Sequence, residues 1–598
     1  TDSLGNVIQN GQGKQVAGEM DFTKLYNKSP FLAKINKTTP TRSSSGPNAA
    51  GTKQAPDPQS GKKKDKDQDK GKAQNKGKDK DQNKAKSDTL ATDSLGNKVP
   101  KDSKAAKDIN DKLKKDKAKA DEKKPATGVS PALKAVLRPL LLVRKFRLNY
   151  GEVATTTIPG FTQSSHILGM SRGWDAPGFD FISGFQPKIN RRADEDTGDW
   201  LAKARSQEWI TTNAFQNNPV LQTSGKSIDS RLTLEPFNDF KIDVDFSRNL
   251  TQNFSEFFKT YHKTDESIDS IFRRSPRSVG SFTISWFSIP TLFKDDSLQI
   301  NSLFKEFESN RSVVSELRGV GEHEIDGPDY SRGFGRKQQD ILVPAFLAAY
   351  TGKDPENFQF TDIFDWFPRP NWQLNYNGLS KIPMFKNLFS NVRISHGYKS
   401  SLTINQFESD LSYDDYNDTL DIVVGQQNPN NLDTLTRNYY SQFLLPSVIM
   451  EEQFSPLIGI DIKFKNDMNV NFSYTKKRSL AMGFISYELA ETRSTTYDLG
   501  IDWKLKDVRL GFLPGFNSQA NKKKSSGAKP GTAKLGNDLS ILFDLSFADN
   551  LTINHLLDQQ AGARPTRGSK DISISPSISY DVNKNVNLRF FVDYRRQQ

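Results

Sequence analysis

The strongest pattern in this chain is a strict alternation of apolar and polar residues that recurs through its last two-thirds. In segment 467–475, the apolar residues Met468, Val470, Phe472 and Tyr474 alternate with Asp, Asn, Ser and Thr. Successive side chains of a strand point to opposite faces, so this spacing predicts a ribbon with one apolar and one polar face. Repeated many times in one chain, such ribbons indicate a barrel with lipid outside and water inside.

Short turns that contain Asn or Asp separate these ribbons and predict antiparallel hairpins. Both residues tolerate left-handed backbone and close tight connections. The predicted hairpins pair 228–236 with 240–247, 458–464 with 468–474, 541–547 with 551–555 across Ala548-Asp549-Asn550, and 572–580 with 586–594. Further strands are predicted at 142–150, 282–289, 372–376, 391–404 and 497–505, which brings the total to about 12 to 16 strands.

Three long segments interrupt the strands, at 151–226, 291–371 and 406–418. Helical pieces are predicted inside the first two, at 199–209, 302–317 and 339–350. Short turns at one rim and long loops at the other are typical of outer-membrane barrels. Long insertions with their own structure usually carry function, as caps, plugs or docking surfaces.

Residues 38–133 form a Lys- and Asp-rich low-complexity segment that is predicted to be disordered. No Phe, Tyr or Trp occurs between Phe31 and Phe146, so this part of the chain cannot bury enough apolar surface to fold. Residues 32–145 carry 30 Lys and Arg against 14 Asp and Glu, a net charge of +16, whereas the whole chain carries +13. The folded remainder is therefore close to neutral.

Three interpretations of this basic segment stay open. A solvated linker is the first, and attraction to anionic lipid or lipopolysaccharide phosphates is the second. Binding to nucleic acid is disfavoured, because Asp residues dilute the charge and no aromatic side chain offers stacking. Residues 1–37 are predicted to be a short segment able to dock on the folded part, and 134–598 to be the folded part itself. Since the chain begins at Thr1 without a signal peptide, we expect it to be a fragment of a longer exported protein.

Composition narrows the class of protein. No apolar run approaches the ~18 residues that a membrane-spanning helix needs, whereas barrel strands are half polar. Aromatic residues make up 11% of the chain, including 40 Phe, as expected for interfacial girdles. The polar faces favour Asn, Asp, Ser and Arg, which suit a wet, confined lumen better than the surface of a sandwich. We predict an all-β fold: an antiparallel transmembrane β-barrel, part of a very large one, with long structured loops and a disordered insert. A large soluble β protein is the competing class.

No constellation of residues predicts catalysis, a cofactor or a metal site. The chain has no Cys, which removes thiolate sites, and its five histidines lack ligand spacing: His166, His262, His323, His396 and His555. Two Gly-x-Gly pairs, at 319–321 and 333–335, lack the third glycine of a nucleotide loop, and no GxSxG motif is present. The acidic loop with Asp410, Asp414, Asp415 and Asp418 lacks EF-hand spacing. We therefore predict no catalytic, cofactor-binding or metal-binding residues, and no enzyme.

A series of segments, in this order, carries a family resemblance. It begins with Gly-Trp-Asp-Ala-Pro-Gly-Phe-Asp-Phe at 173–181 and Gly-Phe-Gln-Pro at 184–187, and continues at 209–211, 222–223, 232–246, 281–283, 341–346, 368–372 and 585–589. Together these segments resemble the C-terminal portion of the SprA/Sov family, the outer-membrane translocons of the type IX secretion system of Bacteroidota. The resemblance extends over 140–598 and excludes the low-complexity segment.

The resemblance implies a function that residue patterns alone do not give. A very large barrel would pass folded cargo proteins across the outer membrane and hand them to a PorV-like shuttle barrel, while a periplasmic plug protein seals the other end. Such proteins are required for gliding motility, and the family has no enzymatic residues. The expected partners also include outer-membrane lipid and lipopolysaccharide, but no nucleic acid. A self-contained porin or receptor barrel and a secreted β-rich adhesin remain the alternatives.

Overall fold

The computed structural model describes residues 4–36, 90–92, 98–100, 137, 141–189, 198–260, 271–294, 302–358, 364, 367–413, 432–506, 508, 538–558, 564–583 and 586–598. Contacts divide the chain into one unit of residues 1–32 and 136–598 and a second unit of residues 33–135. In the second unit, Leu90–Thr92 pairs antiparallel with Lys98–Pro100. Most of the segment predicted to be disordered lies outside the described residues.

One antiparallel sheet of 15 strands dominates the first unit. Its strands, in chain order, are β1 (Asn6–Asp21), β2 (Val143–Phe161), β3 (Val220–Leu234), β4 (Phe240–Thr260), β5 (Ile271–Ser285), β6 (Asn371–Tyr376), β7 (Phe389–Ser409), β8 (Phe443–Leu444), β9 (Ser447–Phe464), β10 (Met468–Gly483), β11 (Glu488–Leu505), β12 (Leu539–Leu556), β13 (Arg564–Asn583), β14 (Val586–Phe591) and β15 (Tyr594–Gln597).

The order of strands in the sheet follows the order in the chain, apart from two features. First, β5 and β6 both lie between β4 and β7. Second, the two-residue β8 pairs only with the end of β7. β1 forms one edge of the sheet, and β14 and β15 together form the other. Within the described residues, no ladder joins these two edges.

The described helices lie in the connections between strands. They are α1 (Phe22–Asn27), α2 (Pro30–Asn36), α3 (Phe179–Ile182), α4 (Trp200–Ser206), α5 (Ile289–Leu292), α6 (Ser302–Arg318), α7 (Gln339–Thr351) and α8 (Pro383–Lys386), with 3-10 turns at Ile167–Gly169, Pro355–Asn357 and Leu379–Lys381. A small hairpin pairs Glu322–His323 with Gly327–Ser331. None of the helices in the described part has the length and apolar character needed to cross a membrane.

Three of the four predicted hairpins are confirmed: β3 with β4, β9 with β10, and β13 with β14. In the first two turns, Asp239 and Asp467 adopt positive φ angles of 66° and 62°. This is the left-handed conformation that Asp and Asn tolerate in tight connections. Residues 584–585 of the third turn lie outside the described residues.

The turn predicted at Ala548-Asp549-Asn550 is wrong, because β12 runs straight through these residues. Ser494 Oγ donates to Asn550 Oδ1 at 2.6 Å, and Asp549 forms an ion pair with Lys570 at 3.8 Å. Each polar side chain thus has a partner on a neighbouring strand, which stabilises the ladder where the composition alone favours a turn.

The strands are longer than predicted, which shortens the first long segment, whereas the second is slightly longer than predicted because β5 ends at Ser285. β2 reaches Phe161 and β3 begins at Val220, so the predicted loop 151–226 is a connection of residues 162–219. β5 covers Ile271–Ser285 in place of the predicted 282–289, and the second long segment is 286–370 in place of 291–371. Residues 406–409 belong to β7, and 414–418 lie outside the described residues.

The three predicted helices are confirmed as α4, α6 and α7, whereas the predicted difference between the two rims holds only in part. The connection between Leu505 and Leu539 is long and lies at the same end as the tight turns. The connection 484–487 is short and lies at the opposite end. Residues 6–21, which the sequence did not predict as a strand, form β1.

Candidate functional site: the two sides of the sheet

One side of the sheet carries apolar side chains on eight strands, which we call the apolar band, and His396 of β7 lies among them opposite Leu374. Its residues are Phe240, Ile242, Val244 and Phe246 of β4; Trp372, Leu374 and Tyr376 of β6; Ile394 and Tyr398 of β7; Ile458, Ile460, Ile462 and Phe464 of β9; Met468, Val470, Phe472 and Tyr474 of β10; Tyr497, Leu499, Ile501 and Trp503 of β11; Ile541, Phe543, Leu545 and Phe547 of β12; and Ile572, Ile574 and Ile578 of β13. Ile458 and Ile578 are 48% and 45% exposed, so no other part of the described chain covers them.

Aromatic residues border the apolar band on two levels. The level near the tight turns includes Phe240, Tyr376, Phe389, Phe464 and Trp503, and the level near the middle of the sheet includes Trp372, Tyr398, Phe454, Tyr474, Tyr497 and Phe547. Neighbouring rings are in contact within each level, for example Phe389 with Phe464 and Trp372 with Tyr398. Tyr497 and Trp503 lie six positions apart, which separates the two levels by about 20 Å along β11.

The opposite side of the sheet is polar and held by hydrogen bonds between strands. Ser473 and Ser546 donate from both neighbouring strands to Asp498, at 3.2 and 2.7 Å. Thr233 donates to Asp243 at 2.7 Å in the same manner. This side contains a cavity of about 610 Å³ where β3, β4, β6 and β7 meet, with charged residues of both signs in its wall.

Two strands, β5 and β6, together occupy the position between β4 and β7. We call the end of the sheet with the tight turns lower and the opposite end upper. β5 pairs with the upper parts of both neighbours and ends at Ser285, and β6 begins at Asn371 and pairs with their lower parts. The two ends are joined, because Ser285 Oγ donates to the carbonyl of Arg369 at 2.6 Å and the Arg369 N–H donates to the carbonyl of Ser285 at 2.9 Å. The chain thus leaves one strand position, forms residues 286–370, and returns to the same position.

The residues that leave the sheet form a helical layer, by which we mean α5, α6 and α7. Every residue of α7 from Ile341 to Thr351 is buried, as expected for a helix that is apolar on all sides. The helix ends at Gly352, whose φ of 68° is the left-handed conformation common at helix C-termini. The core beneath the layer includes Ile284, Leu402, Met450, Leu480, Met482 and Leu489 of the sheet.

The helical layer and the apolar band lie on the same side of the sheet. In β10, Phe472 belongs to the band and Leu480 to the core under α7, and the two residues are an even number of positions apart. The ladder between β10 and β11 is regular from Met468 to Gly483, without a bulge that would exchange the two faces. Among the described residues, helices cover the upper half of this side, whereas residues of the lower half such as Ile458 and Ile578 stay exposed.

A buried polar cluster attaches the helical layer to the sheet at the boundary between these halves. Arg478 of β10 donates to the carbonyl of Thr291 at 3.0 Å and to its Oγ1 at 2.7 Å, and it forms an ion pair with Glu452 of β9. Ser288 Oγ donates to Glu452 at 2.6 Å. Thr291 Oγ1 in turn donates to the carbonyl of Tyr350 at 2.6 Å, at the end of α7. The layer thus supplies hydrogen-bond partners to both members of the buried ion pair, although Glu452 Oε1 and Arg478 Nε have no hydrogen-bond partner among the described residues.

Residues 173–187, the first of the segments with the family resemblance, lie at the upper end of β1 to β5. Trp200 packs between Phe181 and Trp209, and its indole N–H donates to the carbonyl of Pro177 at 3.0 Å. Asn10 of β1 donates to the carbonyl of Phe185 at 2.8 Å, which ties the segment to the edge strand. A hydrogen bond from Ser171, with others from backbone N–H groups, holds the pKa of Asp175 below its usual value.

Among the described residues, the histidines and acidic groups that could carry chemistry do not form a cluster able to hold a metal ion. His323 is buried, and its ring nitrogens contact Asn438 and the backbone N–H groups of Ile325 and Asp326. In the part of the chain that the structure describes, no group of three or more His, Asp or Glu residues is placed to hold a metal ion. Of the acidic loop, Asp410 accepts a hydrogen bond from the N–H of Ser412, and the other three aspartates lie outside the described residues.

No protein-family model matches the chain, and no curated protein matches it.

Proposed function

We propose that this chain forms part of the wall of a large outer-membrane β-barrel that passes folded proteins, as in the type IX translocons that its sequence resembles. The observation that carries the proposal is the contrast between the two sides of the sheet. One side is an apolar band between two levels of aromatic residues, and the other is polar. Transmembrane barrels present these two surfaces to lipid and to an aqueous lumen, with an apolar band roughly 25 Å tall.

The edges of the sheet favour a wall that continues beyond this chain. β1 at one edge and β14 and β15 at the other offer backbone groups for further pairing. In lipid, each unpaired backbone group costs free energy, so spanning sheets close into rings. Additional strands beyond both edges would satisfy these groups and widen the lumen, which a passage for folded proteins requires.

In the proposed barrel, the helical layer lies outside the wall. Because the layer lies on the same side as the apolar band, it stands outside the lumen, above the lipid, and does not act as a plug. The lumen side keeps its hydrogen-bonded Asp, Asn and Ser residues, which contact cargo without binding it strongly. A layer outside the wall offers a contact surface to a membrane partner beside the barrel, such as the PorV-like shuttle that the resemblance implies.

A pair of single cysteines tests the membrane assignment cleanly, since the chain has no Cys of its own. Val470→Cys lies in the apolar band and Asn471→Cys on the polar side of the same strand. In liposomes containing the 598-residue chain, we expect a membrane-impermeant maleimide to label Asn471→Cys and to label Val470→Cys only after detergent is added. Equal labelling of both positions without detergent would overturn the membrane assignment and favour a secreted β protein.

Fractionation of the native protein tests the translocon assignment separately. Recovery from the outer membrane together with a second, smaller barrel is the expected result. Recovery from the outer membrane as a compact barrel without partners would keep the membrane wall but replace the translocon by a porin or receptor.

A further inference from the structure

We propose that a cavity at the interruption between β5 and β6 binds the phosphate of a membrane lipid. The cavity has a volume of about 480 Å³, and its wall includes Trp286, Phe287, Lys353, Asn357 and Arg369. This inference rests on the proposed membrane position of the apolar band, because that position brings lipid headgroups to the level of the cavity.

The location of the cavity fits a lipid headgroup. Phe287 contacts both Trp372 and Tyr398, which belong to the aromatic level at the upper border of the apolar band. Trp286 continues β5 on the same side of the sheet and packs in the core beneath the helical layer. A lipid whose chains lie along the band would therefore place its headgroup beside this cavity. Phe287, which is 38% exposed, offers an apolar surface at the entrance.

The chemistry of the wall fits an anion. Lys353 and Arg369 are both cationic, and none of the described residues in the wall is acidic. Arg369 is held in place through its backbone, which exchanges two hydrogen bonds with Ser285. Lys353 lies over the ring of Phe358 at 5.8 Å. Arg and Lys are the side chains that bind phosphate through charge-assisted hydrogen bonds.

A buried donor without a partner supports the same conclusion. Trp286 is 5% exposed, and among the described residues its indole Nε1–H has no hydrogen-bond acceptor. Leaving such a donor unsatisfied costs free energy, so an acceptor that enters the cavity would be favoured. A phosphate oxygen provides this acceptor, whereas a cation or a purely apolar molecule does not.

The test compares three probes on the full 598-residue chain in detergent micelles: phosphatidic acid, diacylglycerol and inorganic phosphate. We expect phosphatidic acid to be retained through gel filtration, and diacylglycerol to be lost. Arg369→Gln and Lys353→Gln should each weaken retention about tenfold, since each removes a charged hydrogen-bond donor. Trp286→Phe keeps an aromatic ring in the core but removes the neutral indole donor together with one ring, so a smaller loss of retention than for the charged residues is expected.

Lys476→Gln is the matched control. Lys476 is also cationic, lies on the same side of the sheet near the upper border of the apolar band, and contacts an aromatic ring, that of Phe293, at 4.8 Å. Equal loss of phosphatidic acid in this variant and in Arg369→Gln would overturn the inference, because it would indicate general attraction to cations. Inorganic phosphate that competes for the cavity as strongly as phosphatidic acid would also overturn the inference, because the ligand would then be a free ion and not a lipid.

Failure of this inference is distinguishable from failure of the proposed function. If Val470→Cys is protected by lipid and phosphatidic acid is not preferred, the membrane wall stands and the lipid site is wrong. If Val470→Cys is labelled without detergent, the membrane wall is wrong, and the lipid site loses its basis.

Discussion

Tyr474 and Tyr497 stack across β10 and β11, with ring centroids 4.6 Å apart and ring planes inclined by 3°. Phe547 extends this contact onto β12, with its centroid 6.2 Å from that of Tyr497. Immediately above the stacked pair, the same side of the sheet changes from apolar residues to charged ones, among them Lys476 and Arg493. The pair therefore marks the upper border of the apolar band.

The stacked pair should contribute a measurable coupling to stability. We expect a double-mutant cycle of Tyr474→Leu and Tyr497→Leu to give a coupling free energy of about 0.5–1.5 kcal/mol beyond the loss of buried area. The quantity to measure is the free energy of unfolding in urea, with the chain in lipid. The pair Thr475 and Thr496, opposite each other on the polar side, serves as the control cycle. A tyrosine coupling no larger than that of the threonines would contradict this prediction.

A charge should be costly in the apolar band and tolerated on the polar side. Val470→Arg is expected to lower the free energy of unfolding in a bilayer by about 2–4 kcal/mol, the cost of Arg facing lipid near the midplane. Asn469→Arg, on the next residue of β10, faces Asp502 across the ladder and should change the stability little. Similar losses for both variants in lipid would show that the two sides of the strand do not differ in environment.

The buried cluster at Arg478 should be essential for attaching the helical layer. Arg478→Met leaves Glu452 buried without its charged partner, so we expect a loss of about 3–5 kcal/mol in the free energy of unfolding. Replacing both residues, as Arg478→Met with Glu452→Leu, should recover much of this loss. Lys477→Met, on the exposed side of the same strand, is the control. A cost of Arg478→Met equal to that of Lys477→Met would rule out the anchoring role.

Asp340 at the start of α7 should make the helical layer less stable as the pH rises. Burial raises the pKa of Asp340, against smaller opposing effects from the charge of Arg318 and a hydrogen bond with Ser441, and its Oδ1 has no hydrogen-bond partner among the described residues. Because the folded pKa is above the unfolded value of about 3.9, the folded chain holds the proton longer, and stability falls as the pH rises from the unfolded pKa through the folded one.

Asp340→Asn tests this dependence on pH. The variant should unfold at a higher urea concentration than the original chain at pH 7, and the difference should shrink at pH 3.5, where the original carboxyl is protonated in both states. Asp329→Asn, at an exposed position of the neighbouring hairpin, provides the comparison. A difference between Asp340→Asn and the original chain that stays constant from pH 3.5 to pH 7 would contradict the assignment.

Local patterns in the sequence are sufficient to predict individual strands, turns and helices of this protein. The alternation in β10 and β11 predicts which residues share a face, because the side-chain period of a strand is fixed by backbone geometry. Asp239 and Asp467 mark real turns, since their side chains tolerate left-handed backbone. The helices α6 and α7 are also predicted, because their patterns are long enough to separate helix from strand.

The assembly of these elements depends on contacts between distant parts of the chain. β1 carries little apolar alternation and pairs with β2 across more than a hundred residues, as in the contact of Glu19 with Arg147. Asp549 and Asn550 resemble a turn, yet partners on neighbouring strands hold them in β12. Local patterns contain no information on such partners, because these lie far away in the sequence.

The same limit applies to the candidate site. Alternation separates the two sides of a strand but does not say what covers each side. An 85-residue segment leaves the sheet after β5 and rejoins it at β6, so these two strands share one position. The same course of the chain explains why α7 covers Leu480 while Phe472, on the same side, stays uncovered by described residues. Packing between distant segments selects this arrangement, and the period of a strand cannot encode it.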